Sequence, residues 1–118
     1  MQNFTSVKDA YNIQNLVNEA LLMKKTPFAD KHIGKNRTLG LLFFNSSLRT
    51  RLSTQKAAQN LGMEVMIMNV GADSWQLEMN EGVIMNGDKA EHISEAAAVV
   101  GSYCDIVGVR SFPGLVDR

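Results

Sequence analysis

Leu39-Gly40-Leu41-Leu42-Phe43-Phe44, running into Asn45-Ser46-Ser47-Leu48-Arg49-Thr50-Arg51, is the stretch that decides the fold of this chain. The first six residues are apolar without alternation, inside a segment from Arg37 to Phe44. A short apolar run bounded by polar residues suits a strand buried on both faces, which is how parallel sheets are built. After the polar turn, Arg49 to Leu61 is compatible with a helix carrying Ala57, Ala58 and Leu61, and Gly62 supplies the left-handed cap that commonly ends one. Met63 to Val70, with Val65, Met66, Ile67 and Met68, reads as a second apolar strand. Gly71 to Asp88 is polar and glycine-punctuated, a long loop. Ala90 to Tyr103 suggests a further helix, and Asp105 to Arg110 a third strand. Upstream, Ser6 and Asp9 have capping-box spacing. Val7, Ala10, Tyr11, Leu16, Val17, Ala20 and Leu21 then recur at helical spacing, which predicts a helix from that box to about Lys25. Pro27 disfavours helical geometry just before it. Strand, helix, strand, helix, strand with short connections is the pattern of a right-handed parallel α/β sheet.

The composition excludes several functions. At 118 residues the chain is one domain's worth, and 12 Lys+Arg against 12 Asp+Glu leave no formal net charge. Zero charge without a basic run argues against non-specific nucleic-acid binding, which draws its affinity from clustered Lys and Arg. At 45% hydrophobic and 20% charged, the sequence is that of a folded domain. No apolar stretch approaches the roughly 20 residues that cross a bilayer, and the polar start from Met1 to Ser6 is not a signal peptide. Neither membrane nor nucleic acid is an expected partner. The single cysteine, Cys104, rules out an internal disulfide framework and fits a reducing cytoplasm. With one cysteine and two distant histidines, His32 and His92, no structural zinc site is expected. Cys104, Met63, Met66 and Met68 read as core residues.

Ligands of parallel α/β sheets sit beyond the carboxyl ends of the strands, where helix N-termini point. The connection after the first predicted strand brings Ser46, Ser47, Arg49, Thr50 and Arg51 to such a helix start. Backbone N–H groups and the positive end of the helix dipole favour an anion there. Hydroxyls add hydrogen bonds, and Arg adds a planar fork suited to phosphate. Neither GxxxxGK[ST] nor GxGxxG is present, so phosphate would be held by side chains and the helix start rather than by a glycine cradle. The same residues also fit an N-capping serine followed by solvated arginines. Arg110 ends the third strand at the same edge, where a lone arginine is more often a surface charge. Trp75, the only tryptophan, lies in Gly71-Ala72-Asp73-Ser74-Trp75-Gln76, where such a residue usually anchors a loop on nearby apolar surface.

Ser47-Leu48-Arg49-Thr50-Arg51 resembles the Ser-Thr-Arg-Thr-Arg carbamoyl-phosphate loop of the aspartate/ornithine carbamoyltransferase family. The likeness continues through Trp75, Gly87-Asp88 and Asp105 to Arg110. Leu48 replaces the family's usual Thr, and Ser53-Thr54-Gln55 stands where Ser-Phe-Glu is usual. With Trp75, these departures are most similar to the acylornithine branch. The resemblance implies a three-layer fold, a parallel sheet flanked by helices, with residues 1–118 forming the carbamoyl-phosphate-binding domain cut at its C-terminal side. A second, amino-acid-binding domain would be absent from these residues, so they would be inactive alone. Ser47, Leu48 through its N–H, Arg49 and Thr50 would hold the phosphate, and Thr50 and Arg110 would reach the carbamoyl oxygen. Arg51 would make a structural ion pair. Trp75 would complete the carbamoyl-phosphate site of the neighbouring subunit in a homotrimer. The implied reaction is carbamoyl transfer from carbamoyl phosphate to an N-acylated ornithine in arginine biosynthesis, with no cofactor. Ala90 stands where acetyl-using members have Glu and succinyl-using members have Pro, which favours N-succinylornithine over N-acetylornithine. An ordinary ornithine carbamoyltransferase and a non-catalytic anion-binding module are the alternatives.

Overall fold

The computed structural model describes residues 3–71, 77–78 and 91–112, with the backbone alone at 77–78 and 91–92. Its elements are α1 (Ile13–Lys25), β1 (Thr38–Phe43), α2 (Leu48–Asn60), β2 (Glu64–Asn69), β3 (Leu77–Glu78), β4 (Glu91–His92), α3 (Ile93–Tyr103) and β5 (Ile106–Arg110). β1 lies between β2 and β5 and pairs in parallel with both. The alternation of strand and helix therefore yields the expected parallel α/β sheet. β3 and β4, two residues each, pair in parallel within and after the stretch read as a loop. Trp75 and Ala90 lie outside the described residues.

β1 is buried along all but its first residue, as its unbroken apolar run requires. Leu39, Leu41 and Phe43 form one core with Ala58 of α2, flanked by Met63, Val65 and Ile67. The opposite face of β1 meets the end of α3, because a Cβ on Gly40 would come within 2.6 Å of the Cys104 sulfur. α3 buries Ala96 and Val100. Helices thus cover both faces, giving three layers.

Where β1 begins, Asp105 ties two strands together. Its carboxylate accepts from the Thr38 N–H (2.8 Å) and from Arg37 Nη1 (3.0 Å). The Thr38 amide, and after it Arg37, hold the Asp105 carboxyl below its ordinary pKa. The other end of α2 closes in a Schellman arrangement, the Gly62 N–H donating to Gln59 O and the Met63 N–H to Ala58 O, both 3.0 Å. Gly62 takes the positive φ (83°) that this cap demands.

Four expectations need correction. The Ser6–Asp9 capping box forms, but it caps only a single 3₁₀ turn, Val7–Asp9. The helix starts separately at Ile13 because Ala10 is extended and Asn12 supplies its own cap, accepting from the Asn15 N–H. The apolar stripe of α1 is not in a core, since Ile13, Leu16, Val17 and Leu21 are 45–54% exposed. The third strand is not a buried one: β5 is an edge strand among the described residues, and Ile106, Val107 and Val109 are exposed. Met66 is likewise exposed on edge strand β2, whereas Met63 packs against the core.

Gly62→Ala should be costly. It forces a side chain into the left-handed region, and its Cβ would run into the carbonyl of Lys31. A loss on the order of 2 kcal/mol or more is expected, read as a lowered midpoint in denaturant melts. A midpoint equal to wild type would contradict the cap's role.

Candidate functional site

At the carboxyl edge of the sheet, β1 passes through Phe44, Asn45 and Ser46 into α2. Ser47 caps this helix with extended backbone, its hydroxyl accepting from the Thr50 N–H at 3.3 Å. Arg51 N–H donates to Ser47 O, the first bond of the helical ladder. The amides of Leu48 and Arg49 have no acceptor among the described residues. These are helix-start donors of the kind that bind anions. No acidic residue occupies the first turn of α2 to compete for them. Arg49 and Arg51 are exposed beside them. Arg51, expected to make an ion pair, has no acidic partner among the described residues, where Arg37–Asp105 is the single salt bridge.

Arg110 arrives from the other side of β1. It sits opposite Phe43 in the β1–β5 register, and its carbonyl accepts from the Phe44 N–H at 2.9 Å. Its Nη1 donates to Thr50 Oγ1 at 3.0 Å, across 60 residues of sequence. The Thr50 oxygen accepts from the guanidinium, which leaves its own proton available for donation. Arg110 Nε is buried without an acceptor among the described residues. Leu41, Phe43, Thr50, Thr54, Gly108 and Arg110 are among the residues lining a cavity of about 140 Å³ at this edge. The surface-charge reading therefore fails for Arg110, which is half-buried and bonded to Thr50, whereas Arg49 and Arg51 are exposed behind the capping serine as the alternative reading has them.

The structure brings together Ser47, Leu48, Arg49, Thr50 and Arg110. Trp75 cannot be placed with them because it lies outside the described residues. Two further residues, to which the sequence assigned no role, join the site's frame. Asn45 Oδ1 accepts from the Phe112 N–H at 2.7 Å, and the Phe112 ring lies 4.6 Å from the Arg110 guanidinium carbon. The one sequence signal for them is position, each standing two residues from Ser47 or Arg110. Among the described residues, no group of three His, Cys, Asp or Glu lies together as a metal site would need, and no helix is long and apolar enough to cross a membrane.

A helix start with free amides facing a strand-end arginine is the form an anion site takes in a parallel α/β domain. Residues 2–117 match the model of the aspartate/ornithine carbamoyltransferase carbamoyl-P binding domain, and the chain belongs to that family. It is 52% identical over 118 residues to an N-succinylornithine carbamoyltransferase of Bacteroides thetaiotaomicron, covering all of this chain and 37% of that protein. It is 38% identical to an N-acetylornithine carbamoyltransferase of Xanthomonas campestris pv. campestris, covering 99% of this chain and 34% of the relative. Among solved structures, acetylornithine transcarbamylase complexed with acetylcitrulline superposes with TM-score 0.75 at 38% identity, over 99% of this chain and 35% of that one. A variant of N-acetyl-L-ornithine transcarbamylase with one glutamate changed to alanine, complexed with carbamyl phosphate and N-succinyl-L-norvaline, superposes with TM-score 0.78 at 38% identity and the same coverage. The chain thus spans about a third of the length of the relatives it matches.

Ser47→Ala should remove the cap of α2 and cost about 1 kcal/mol of stability. Thermal melts of the variant and wild type give the value, and an unchanged midpoint would show that the helix start does not depend on Ser47.

Proposed function

We propose that these residues are the carbamoyl-phosphate half of an acylornithine carbamoyltransferase. The observation that carries the reading is the Arg110–Thr50 hydrogen bond, which holds a guanidinium and a hydroxyl together at the start of α2. In this reading Ser47, the Leu48 N–H, Arg49 and Thr50 bind the phosphate of carbamoyl phosphate. Arg110 and Thr50 meet the carbamoyl oxygen. The side-chain amine of the acceptor attacks the carbamoyl carbon, the carbon–oxygen bond to phosphate breaks, and the proton lost by the amine leaves with the phosphate. Negative charge grows on the carbamoyl oxygen and then on the departing phosphate. Fixed donors at both places supply the catalysis, each worth roughly 2.7–4 kcal/mol by analogy with oxyanion holes.

The acceptor we favour is N-succinylornithine, with the enzyme serving arginine biosynthesis in the cytoplasm as a homotrimer whose Trp75 completes a neighbour's site. Three observations support parts of this. Identity to an N-succinylornithine enzyme exceeds identity to an N-acetylornithine enzyme, 52% against 38%. Ala90 offers no carboxylate to repel the second carboxylate of a succinyl group. A single cysteine suits a reducing compartment.

Arg49→Ala in the full-length enzyme should weaken carbamoyl-phosphate binding about tenfold to more than a hundredfold, the value of a lost charged hydrogen bond. Calorimetric titration with carbamoyl phosphate measures it, and unchanged affinity would remove Arg49 from the site. For the acceptor, kcat/KM should be higher for N-succinylornithine than for N-acetylornithine, and Ala90→Glu should shift preference toward the acetyl substrate. A clear acetyl preference in the unaltered enzyme would reject the succinyl assignment.

A further inference from the structure

Resting on the reading of Arg110 as the group that meets the carbamoyl oxygen, we propose that Asn45 and Phe112 form a clasp that positions the Arg110 guanidinium. Regular pairing of β1 with β5 ends at Phe43 and Arg110. One more ladder bond follows, from the Phe44 N–H to Arg110 O. The chain must then leave β1 to form the cap of α2, and no backbone carbonyl of a continuing strand is there for the segment after β5. The side-chain carbonyl of Asn45 takes that place, accepting from the Phe112 N–H at 2.7 Å. An amide side chain can stand in for a peptide group because it carries the same carbonyl acceptor.

The bond has a consequence for the arginine two residues earlier. With its backbone held, Phe112 lays its ring 4.6 Å from Arg110 Cζ, within the range of a cation–π contact. The guanidinium is then held from two sides, by the ring and by the Thr50 hydroxyl. Both contacts must be kept for the fork to face the start of α2. Phe112 itself is 58% exposed and stands outside the hydrophobic core of the described residues, so its removal should act on the orientation of Arg110 rather than on that core. Asn45 is exposed as well. The clasp joins the segments that carry the two halves of the site, the loop before α2 and the end of β5.

The test is steady-state carbamoyl transfer by the full-length enzyme, with carbamoyl phosphate and the better of the two acylornithines. Phe112→Leu should lower kcat about two- to fivefold, the worth of an exposed cation–π contact, and Phe112→Tyr should restore it. Asn45→Ala should lower kcat by about two- to tenfold. In an Arg110→Gln background neither substitution should have further effect, because residues acting through a third lose their influence once it is gone. Thermal midpoints of the single variants should stay near wild type. Equal losses with and without Arg110, or failure of Tyr to rescue, would overturn the clasp while leaving the transferase assignment intact. Full activity of Arg110→Gln would instead overturn the reading of Arg110 on which the clasp rests.

Discussion

Everything at the site depends on β1 being hydrogen-bonded along both edges and covered on both faces. A strand in that position must be apolar wherever it is enclosed, and Leu39, Leu41, Leu42 and Phe43 are all buried. The constraint goes beyond hydrophobicity. Gly40 has its place because the Cys104 sulfur occupies the space a side chain would need. Once β1 is fixed, its parallel neighbours must deliver their carboxyl ends to the same edge. That is why a loop after β1 and an arginine at the end of β5 converge without any direct link in sequence.

Among the described residues, this edge collects positive charge in a chain with no net charge. Arg49, Arg51 and Arg110 lie there together with the positive end of α2, and the first turn of α2 has no carboxylate. The acidic residue that does pair with an arginine, Asp105, sits at the opposite end of the strands, clamping Thr38 and Arg37. Along the strand axis, the described residues therefore put the Arg37–Asp105 pair at one end and three arginines at the other. A chain without net charge can in this way hold a local positive potential.

Much of this was legible in the sequence where one physical cause acts alone. Unbroken apolarity marked β1, a serine before a polar helix marked the cap at Ser47, and a glycine after Leu61 marked the left-handed cap at Gly62. Competing causes hid the rest. The Ser6–Asp9 pattern is a true capping box, but local capping does not set how far a helix continues, and Asn12 starts a new one. Apolar residues in β5 and α1 signalled burial, yet burial depends on neighbours in space, and these faces are exposed. The meeting of Arg110 with Thr50 could be read from topology and family likeness. The bond between Asn45 and the Phe112 amide could not, because a side chain replacing a backbone carbonyl leaves no periodic trace.

The β1 register also orders the events of folding. Leu39 pairs with Val65 on one side and with Ile106 on the other, so the second pairing closes a loop more than twice as long. Chain entropy makes that closure dearer by about 0.6–1 kcal/mol, and non-local pairing is the slower kind. The β1–α2–β2 unit, with Ser47 already capping its helix, is therefore the part that can assemble first. Arg110 reaches Thr50 only when β5 docks. Until β5 arrives the chain holds the start of α2 without its guanidinium, so the Arg110–Thr50 bond marks completed assembly of the sheet among the described residues.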